Sequence, residues 1–309
     1  MANHVSMTGS LSRDAYNDLL NKAIDVVFMR RDEHIGVLAQ FFDVDTKDSG
    51  LSHIISSVSS VLRLPQENED TEALPYDAPV QGFDKTFVLV NYRLGIRVTD
   101  TMLRADRFSR IMQMTQGVVK SGMRKDEYLR AAIINGAFSG SGGADGSALC
   151  ANSHAHADQE GGTWDNLGTG ALTGANLQAL VLLSDKLTNE KGYPDPATAQ
   201  NLLVPPDLRQ KALELTGSAK RAEDALNGDT VIIDKLGIVV SPFLTSTTAY
   251  FTFGDRTGFD KGLHEIRLMD WAIGNNSPAN ADIVVDKRIK SIKTFGFTLS
   301  QNITGSAGT

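Results

Sequence analysis

The stretch "TDTMLRADRFSRIMQMTQGVVKSGMRKDEYLRAAIINGAF", residues 99–138, constrains this chain more than any other. It holds no proline, opens on Thr99 and Asp100 as cap candidates, and repeats apolar side chains at near-helical period. Met102, Leu103, Phe108, Ile111, Met112, Val118, Val119, Met123, Leu129, Ile133 and Ile134 mark the stripe. The pattern predicts one helix over 101–138, roughly 50 Å long at about 1.5 Å per residue and far longer than an average helix. Gly117 and Gly122 are the points at which it can bend.

The flanking segments differ in kind. Near the start, "SRDAYNDLLNKAIDVVFMRRD" has Ser12 as an N-cap and helical spacing after it. Residues 41–100 are strand-like: "LSHIISSVSSVLRL" is rich in β-branched residues, "KTFVLVNYRLGIRV" alternates, and the polar, proline-bearing "PQENEDTEALPYDAPVQGF" lies between them. This is the pattern of a long hairpin-like excursion. Isolated hairpins are marginal in water, so one that projects must rest on something else.

Beyond the long helix, residues 139–170 read as loop. "TGANLQALVLLSDKLTNEKGYP" reads as a capped amphipathic helix ended by Gly192 and Pro194, and "NLLVPPDLRQKALEL" as a buried strand, a Pro-Pro turn and a helix with Pro206 at its first position. "VIIDKLGIVVSPFL" and "AYFTFGD" read as strands, and the segment from His264 as two long strands around "NNSPAN". The fold class is α+β, closing on an antiparallel sheet.

Composition narrows the function. The 309 residues are 41% hydrophobic and 22% charged, ordinary for a soluble globular protein. No run approaches the roughly 18 apolar residues of a membrane span, and the N-terminus lacks the pattern of a secretory signal. A single Cys precludes an intramolecular disulfide framework and fits a reducing compartment, so the protein is expected to be intracellular at synthesis. The net charge of −7 argues against a nucleic-acid reader, yet suits a container that sits near DNA without gripping it.

Two stretches imitate sites. In "ALCANSHAHADQEGGTWDNL", Cys150, His154, His156 and Asp158 are four possible metal ligands within nine residues, and His154 and His156 would point to one side of a strand. No second Cys/His cluster accompanies them: His264 stands alone, and His4, His34 and His53 lie in peripheral-looking segments. The stretch reads as a solvated polar loop. "GSGGADGS", residues 140–147, lacks the Lys-Ser/Thr of a phosphate loop and follows a helix rather than a strand, so it reads as a flexible connection. No catalytic, cofactor-binding or metal-ligating residue is assigned, and no cofactor.

Charge distribution says more. Residues 41–100 carry ten acidic and five basic side chains, with Glu67, Glu69, Asp70, Glu72 and Asp77 in a run free of Lys and Arg. Residues 101–138 carry Arg104, Arg107, Arg110, Lys120, Arg124, Lys125 and Arg130 against Asp106, Asp126 and Glu127. Either these are two solvated faces, or the acidic excursion lies across the basic helix of a neighbouring copy.

The order and spacing of several stretches resemble the major capsid protein of tailed bacteriophages, with its Hong Kong 97-like fold. These are "ALPYDAPVQGFDKTFVLVNYRLGIRVTDTML", "NGAFSGSGGADGSALCANSHAHADQEGGTWDNL", "LTNEKGYP", "NLLVPPDLRQKALEL" and "VVSPFLTSTTAYFTF". The likeness covers roughly residues 70–300, and the second His of "HAHAD" departs from it. It implies an N-terminal arm over 1–40, an extended E-loop over 41–100, the spine helix of a peripheral domain over 101–138, an axial domain over 139–245, and strands returning to the peripheral domain plus a C-terminal tail over 246–309. It further implies hexamers and pentamers closing an icosahedral head around double-stranded DNA, in the virion after assembly in the host cytoplasm. The implied partners are further copies, a separate scaffolding protein, a portal and decoration proteins, with DNA held by non-specific proximity and no membrane.

Three other readings compete: an encapsulin-like nanocompartment shell, a metal-dependent enzyme built on Cys150–Asp158, and a phage tail-tube subunit. The long helix counts against the last, since such tubes are mainly β.

Overall fold

The computed structural model describes residues 36–58, 65, 76, 81–99, 101, 109–157, 162–188, 193–217, 236–255, 261–275 and 283–308. The expected helix after Ser12, most of the polar section between 59 and 80, and the "NNSPAN" turn lie outside them. Two compact units emerge: Val90–Asp126 with Met269–Lys293, grouped with Met1–Gly36, and Val37–Leu89 with Glu127–Leu268 and Thr294–Thr309.

The long helix is present as α1 (Ser109–Asn135), about 40 Å at the standard rise. In the first unit it lies over a sheet in which β12 (Ile283–Phe297) pairs antiparallel with β4 (Val90–Thr99), in register from Ile283↔Thr99 to Lys293↔Val90, and borders β11 (Leu263–Asn275) on its other side. Gly122 serves close approach: a Cβ there would stand 3.3 Å from Trp271 and Ile289. Along β12 the core-facing positions are Lys287, Ile289, Ser291 and Lys293, all buried, so the strand buries its polar set as readily as its apolar one. Lys293 is tolerated there because its Nζ lies 2.7 Å from Asp126 and 3.3 Å from Asp270, while Trp271 Nε1 donates to Asp126 at 2.8 Å.

The second unit centres on a five-stranded sheet in the order β7-β13-β10-β8-β9. Its members are β7 (Leu167–Gly168), β8 (Thr198–Val204), β9 (Gly237–Val240), β10 (Tyr250–Asp255) and β13 (Ile303–Ser306). β10 runs antiparallel to β8 and β13, whereas β8–β9 and β13–β7 are parallel. Alternation sorts the side chains into two cores. Leu202, Val204 and Tyr250 face α2 (Gly174–Asp185) and α3 (Arg209–Gly217), meeting Leu177, Leu180, Ala212 and Leu215. Leu203, Phe251 and Phe253 face the other way, onto Leu38, Phe41, Ile134, Leu149 and Ile303. The rings of Phe41 and Phe253 stack at 3.9 Å.

Some expectations shift. α2 is capped by Thr173, whose Oγ1 accepts from the Asn176 N–H at 3.2 Å, but it ends at Lys186 rather than at Gly192. The chain turns there because Leu187 is drawn into a small core with Trp164 and Ala197. Pro206 opens a 3-10 turn, Pro206–Leu208, that leads into α3. The sheet holding β11 is not purely antiparallel: β1 (Asp43–Thr46) runs parallel to β11, from Asp43↔His264 to Thr46↔Arg267. Phe41 and Phe42, buried just before it, fix that direction of entry.

The C-terminal "ITGS", expected within the last strands and tail, is buried at every position and sits inside the five-stranded sheet. Its polar atoms are matched: Thr304 Oγ1 meets the hydroxyls of Ser184 and Thr252. Gly305 admits no side chain, since a Cβ would come within 2.6 Å of Phe251 and 2.8 Å of the Cys150 Sγ.

Candidate assembly surface

The hairpin expected in residues 41–100 is present at its base. β2 (Ser52–Val58) and β3 (Gln81–Val88) pair antiparallel as a two-stranded sheet, Ser52↔Val88 through Val58↔Gln81. Cross-strand partners share a face, so Ser52, Ile54, Ser56, Asp84, Thr86 and Val88 lie together, and all are exposed. Ile54 is 59% and Val88 65% exposed, and neighbouring Leu51 is 64%. The opposite face is anchored through Phe87, which is buried beside the His264 ring and over Gly296. One face is thus held by the second unit while the other presents exposed apolar side chains, a usual template for association. The acidic residues Glu67, Glu69, Asp70, Glu72 and Asp77 lie outside the described residues.

The charges of α1 divide. Lys120 and Arg124 are exposed, and the Lys125 ammonium lies 5.7 Å from the Tyr92 ring. Arg104 and Arg107 are outside the described residues. Arg130 corrects the solvated-face reading: it is buried, with Nη2 2.7 Å from Glu265 and Nη1 3.4 Å from Glu127. Glu127 accepts the Leu38 N–H at 2.8 Å, and Arg267 Nε reaches Glu265 at 2.6 Å. Burial alone would push the Glu265 carboxyl up, but Arg267 and Arg130 hold it below its ordinary value of 4.5.

The His-containing stretch is not a solvated loop. His154 and His156 do share a side, as alternation predicts, and both are buried. His154 sits in β5 (His154–Ala155), paired with β6 (Thr163–Trp164), and its ring stacks on Trp164 at 4.2 Å. Its Nδ1 lies 2.7 Å from Asp145 Oδ2 and its Nε2 3.1 Å from Asn166 Oδ1. Asn166 in turn donates to the carbonyls of Leu149 and Ile303 and accepts the Ala151 N–H, so it clasps three segments. Burial pushes the Asp145 carboxyl up, yet the hydrogen bonds from His154 and the Ser147 N–H bring it below its ordinary range.

The "GSGGADGS" run is likewise tied down rather than a free connection. Gly143 N–H donates to Ser147 O, and Ala144 N–H donates to Thr298 O. Sequence reasoning missed Asp145 and Asn166; the only signal was their position beside the glycines and within "WDNL".

The three described members of the four possible ligands, Cys150, His154 and His156, do not form a metal-binding group. Cys150 lies in the apolar core, where burial first and the Asp165 charge second push its thiol far up. His156 Nε2 meets the Thr188 hydroxyl at 3.2 Å, and Asp158 is outside the described residues. Among the described residues no group of three His, Cys, Asp or Glu is placed to hold a metal ion. His264 has its Nε2 2.9 Å from Thr298 Oγ1 and its Nδ1 3.5 Å from Asp45. No helix among the described residues is long and apolar enough to cross a membrane.

Comparison with known proteins turns this arrangement into a family. No curated protein sequence matches the chain. The capsid structure of the cyanophage P-SCSP1u superposes with a TM-score of 0.55 at 12% identity, covering 86% of each chain. A solved structure from Microbacterium phage Oxtober96 gives 0.54 at 12%, over 89% of this chain and 88% of the other. A virus-like particle from Pyrococcus furiosus gives 0.51 at 10%, over 92% and 98%. At such identities the likeness shows the fold alone. The model of a family described as phage capsid protein matches residues 84–298, well over half of the sequence. The chain therefore belongs to the phage capsid protein family, as a structural protein of the virion with the Hong Kong 97-like fold of tailed-phage major capsid proteins.

Proposed function

We propose that the chain assembles as hexamers and pentamers into an icosahedral head that encloses the double-stranded DNA genome of a tailed phage, and that it catalyses no reaction. Assembly takes place in the host cytoplasm with a separate scaffolding protein, a portal and decoration proteins. In this reading residues 41–100 are the E-loop, 101–138 the spine of the peripheral domain, 139–245 the axial domain, and 246–309 the return to the peripheral domain.

The observation that carries the proposal is the β2–β3 hairpin. A two-stranded sheet with one wholly exposed face, bearing Ile54 and Val88, is poorly stabilised by its own chain and gains most by lying on a neighbour. Each such contact can be modest, because closure of a shell multiplies it.

The acidic run offers a test. Replacing Glu67, Glu69, Asp70 and Glu72 together with Gln and Asn should lower shell yield, or make assembly more sensitive to salt, while thermal unfolding of the free subunit stays unchanged. Wild-type yield at every ionic strength would remove the acidic excursion from the interface. The fold is equally that of the virus-like particle from Pyrococcus furiosus, so a nanocompartment shell is the second reading. Purified particles that hold DNA favour the head; particles that hold a cargo protein and no DNA favour the nanocompartment.

A further inference from the structure

The chain as a whole carries −7, yet the first unit has the opposite sign. Its described residues include ten Lys and Arg against three acids, Asp126, Asp270 and Asp286. All three acids are engaged, Asp126 and Asp270 by Lys293, and Asp286 by Arg97. Among the described residues of the unit the cations therefore outnumber the carboxylates by seven.

Part of it is concentrated on one sheet face. Ile289 on β12 and Trp271 on β11 point to α1, where both approach Gly122. Side chains alternate along a strand, so Arg288 and Lys290 on β12 point away from the helix, as do their β4 neighbours Arg93 and Arg97. Arg93 lies directly opposite Lys290, and Arg97 opposite Asp286. Like charges directly opposite each other across a sheet are destabilising. Among the described residues no carboxylate lies within ion-pair distance of Arg93, Arg288 or Lys290.

The surroundings keep this face open. Arg288 lies opposite Gly95 on one neighbouring strand, and on the other Gly274 comes so close that a Cβ would stand 3.3 Å from its Nε. The Arg288 side chain thus lies over Gly274 on one side, while Gly95 on the other presents no side chain beside it. Cations two residues apart on β12 are about 7 Å apart along the strand, with Arg93 on the adjacent strand beside them.

A cost of this kind is recovered when an anion from outside the chain occupies the face. A row of cations on a flat, extended strip suits a linear polyanion better than a single carboxylate, and arginine forks match phosphate oxygens bidentately. We propose that the face formed by Arg93, Arg288 and Lys290 binds the phosphate backbone of double-stranded DNA without reading its sequence, and is the place where the shell touches the genome. This rests on the capsid reading and deepens it. The acidity of the whole chain keeps general affinity for DNA low, while one localised strip supplies contact.

The test uses the full-length subunit, held at concentrations where sedimentation shows no shells, and a fluorescent 30-base-pair duplex of mixed sequence followed by anisotropy. Three phosphate contacts give a slope of about −2.7 in log affinity against log salt, roughly a 40-fold loss between 50 and 200 mM. The triple variant R93Q/R288Q/K290Q should flatten the slope by that amount and leave the melting temperature unchanged or higher, since repulsion is relieved. Equal slopes, no wild-type binding at 50 mM salt, or a destabilised variant would each overturn the proposal.

Shell formation is scored in parallel. Loss of shells with an unchanged DNA slope would make the face a contact between subunits and overturn the DNA assignment while sparing the capsid reading. Failure of the wild type to form shells under any condition counts against the capsid reading itself.

Discussion

Replacing Arg130 with methionine is expected to destabilise the free subunit by about 3–5 kcal/mol, the cost of leaving buried charge without its partner. The guanidinium stands between Glu127 and Glu265, the latter with no exposed side-chain surface. Without it, Glu265 loses its 2.7 Å ion pair and leans on Arg267, and Glu127 leans on the Leu38 N–H. The loss should show as a fall in the urea midpoint at unchanged slope, measured on unassembled protein at neutral pH.

Acid should narrow the gap, and the sign follows from Glu265. Its carboxyl titrates below 4.5 in the folded chain, so its pairing contributes fully above that value and is lost as pH falls through the lower, folded one. The wild type should therefore lose stability below about pH 4.5 more steeply than R130M. Adding Glu265→Gln to R130M should recover part of the loss, since one stranded carboxylate is removed. A cost under about 1 kcal/mol for R130M would show that the network contributes little to the fold.

The second large effect concerns association rather than folding. Ile54→Glu with Val88→Glu places two charges on the exposed face of the β2–β3 hairpin. Each is expected to weaken a subunit contact by at least about 1.4 kcal/mol, so together they raise the concentration needed for assembly about 100-fold. Both sites are exposed in the single chain, so its stability should change by less than about 0.5 kcal/mol. Light scattering during assembly reads the first quantity and thermal unfolding the second. Unchanged assembly would place the hairpin outside the interface; a large drop in monomer stability would show that its exposed face packs within the chain.

How much of this was legible in the sequence depended on range. The long helix could be read because its signal is local, a proline-free apolar period. The hairpin could be read from alternation on either side of a polar section. The buried charges could not: Arg130 meets Glu265 135 positions away, and Lys293 meets Asp126 across 167. Nothing local distinguishes such residues from solvated ones, so in the sequence Arg130 reads as one more cation of the helix.

The same holds for Thr304, Gly305 and Ser306, small or polar residues whose burial in β13 depends on hydroxyl partners and on space that only glycine leaves. For the His154 cluster, alternation correctly placed His154 and His156 on one side. Its partners Asp145 and Asn166 came into view only with the fold, and their hydrogen bonds account for the burial of the His154 ring.

The central claim is that this chain builds a closed shell from its own copies. Sedimentation velocity on the purified protein, with scaffold candidates added and negative-stain electron microscopy of the fast fraction, tests it most directly. The account predicts closed shells, or rings of five and six subunits as their precursors. A species that stays strictly monomeric with scaffold and crowding agents present would contradict it.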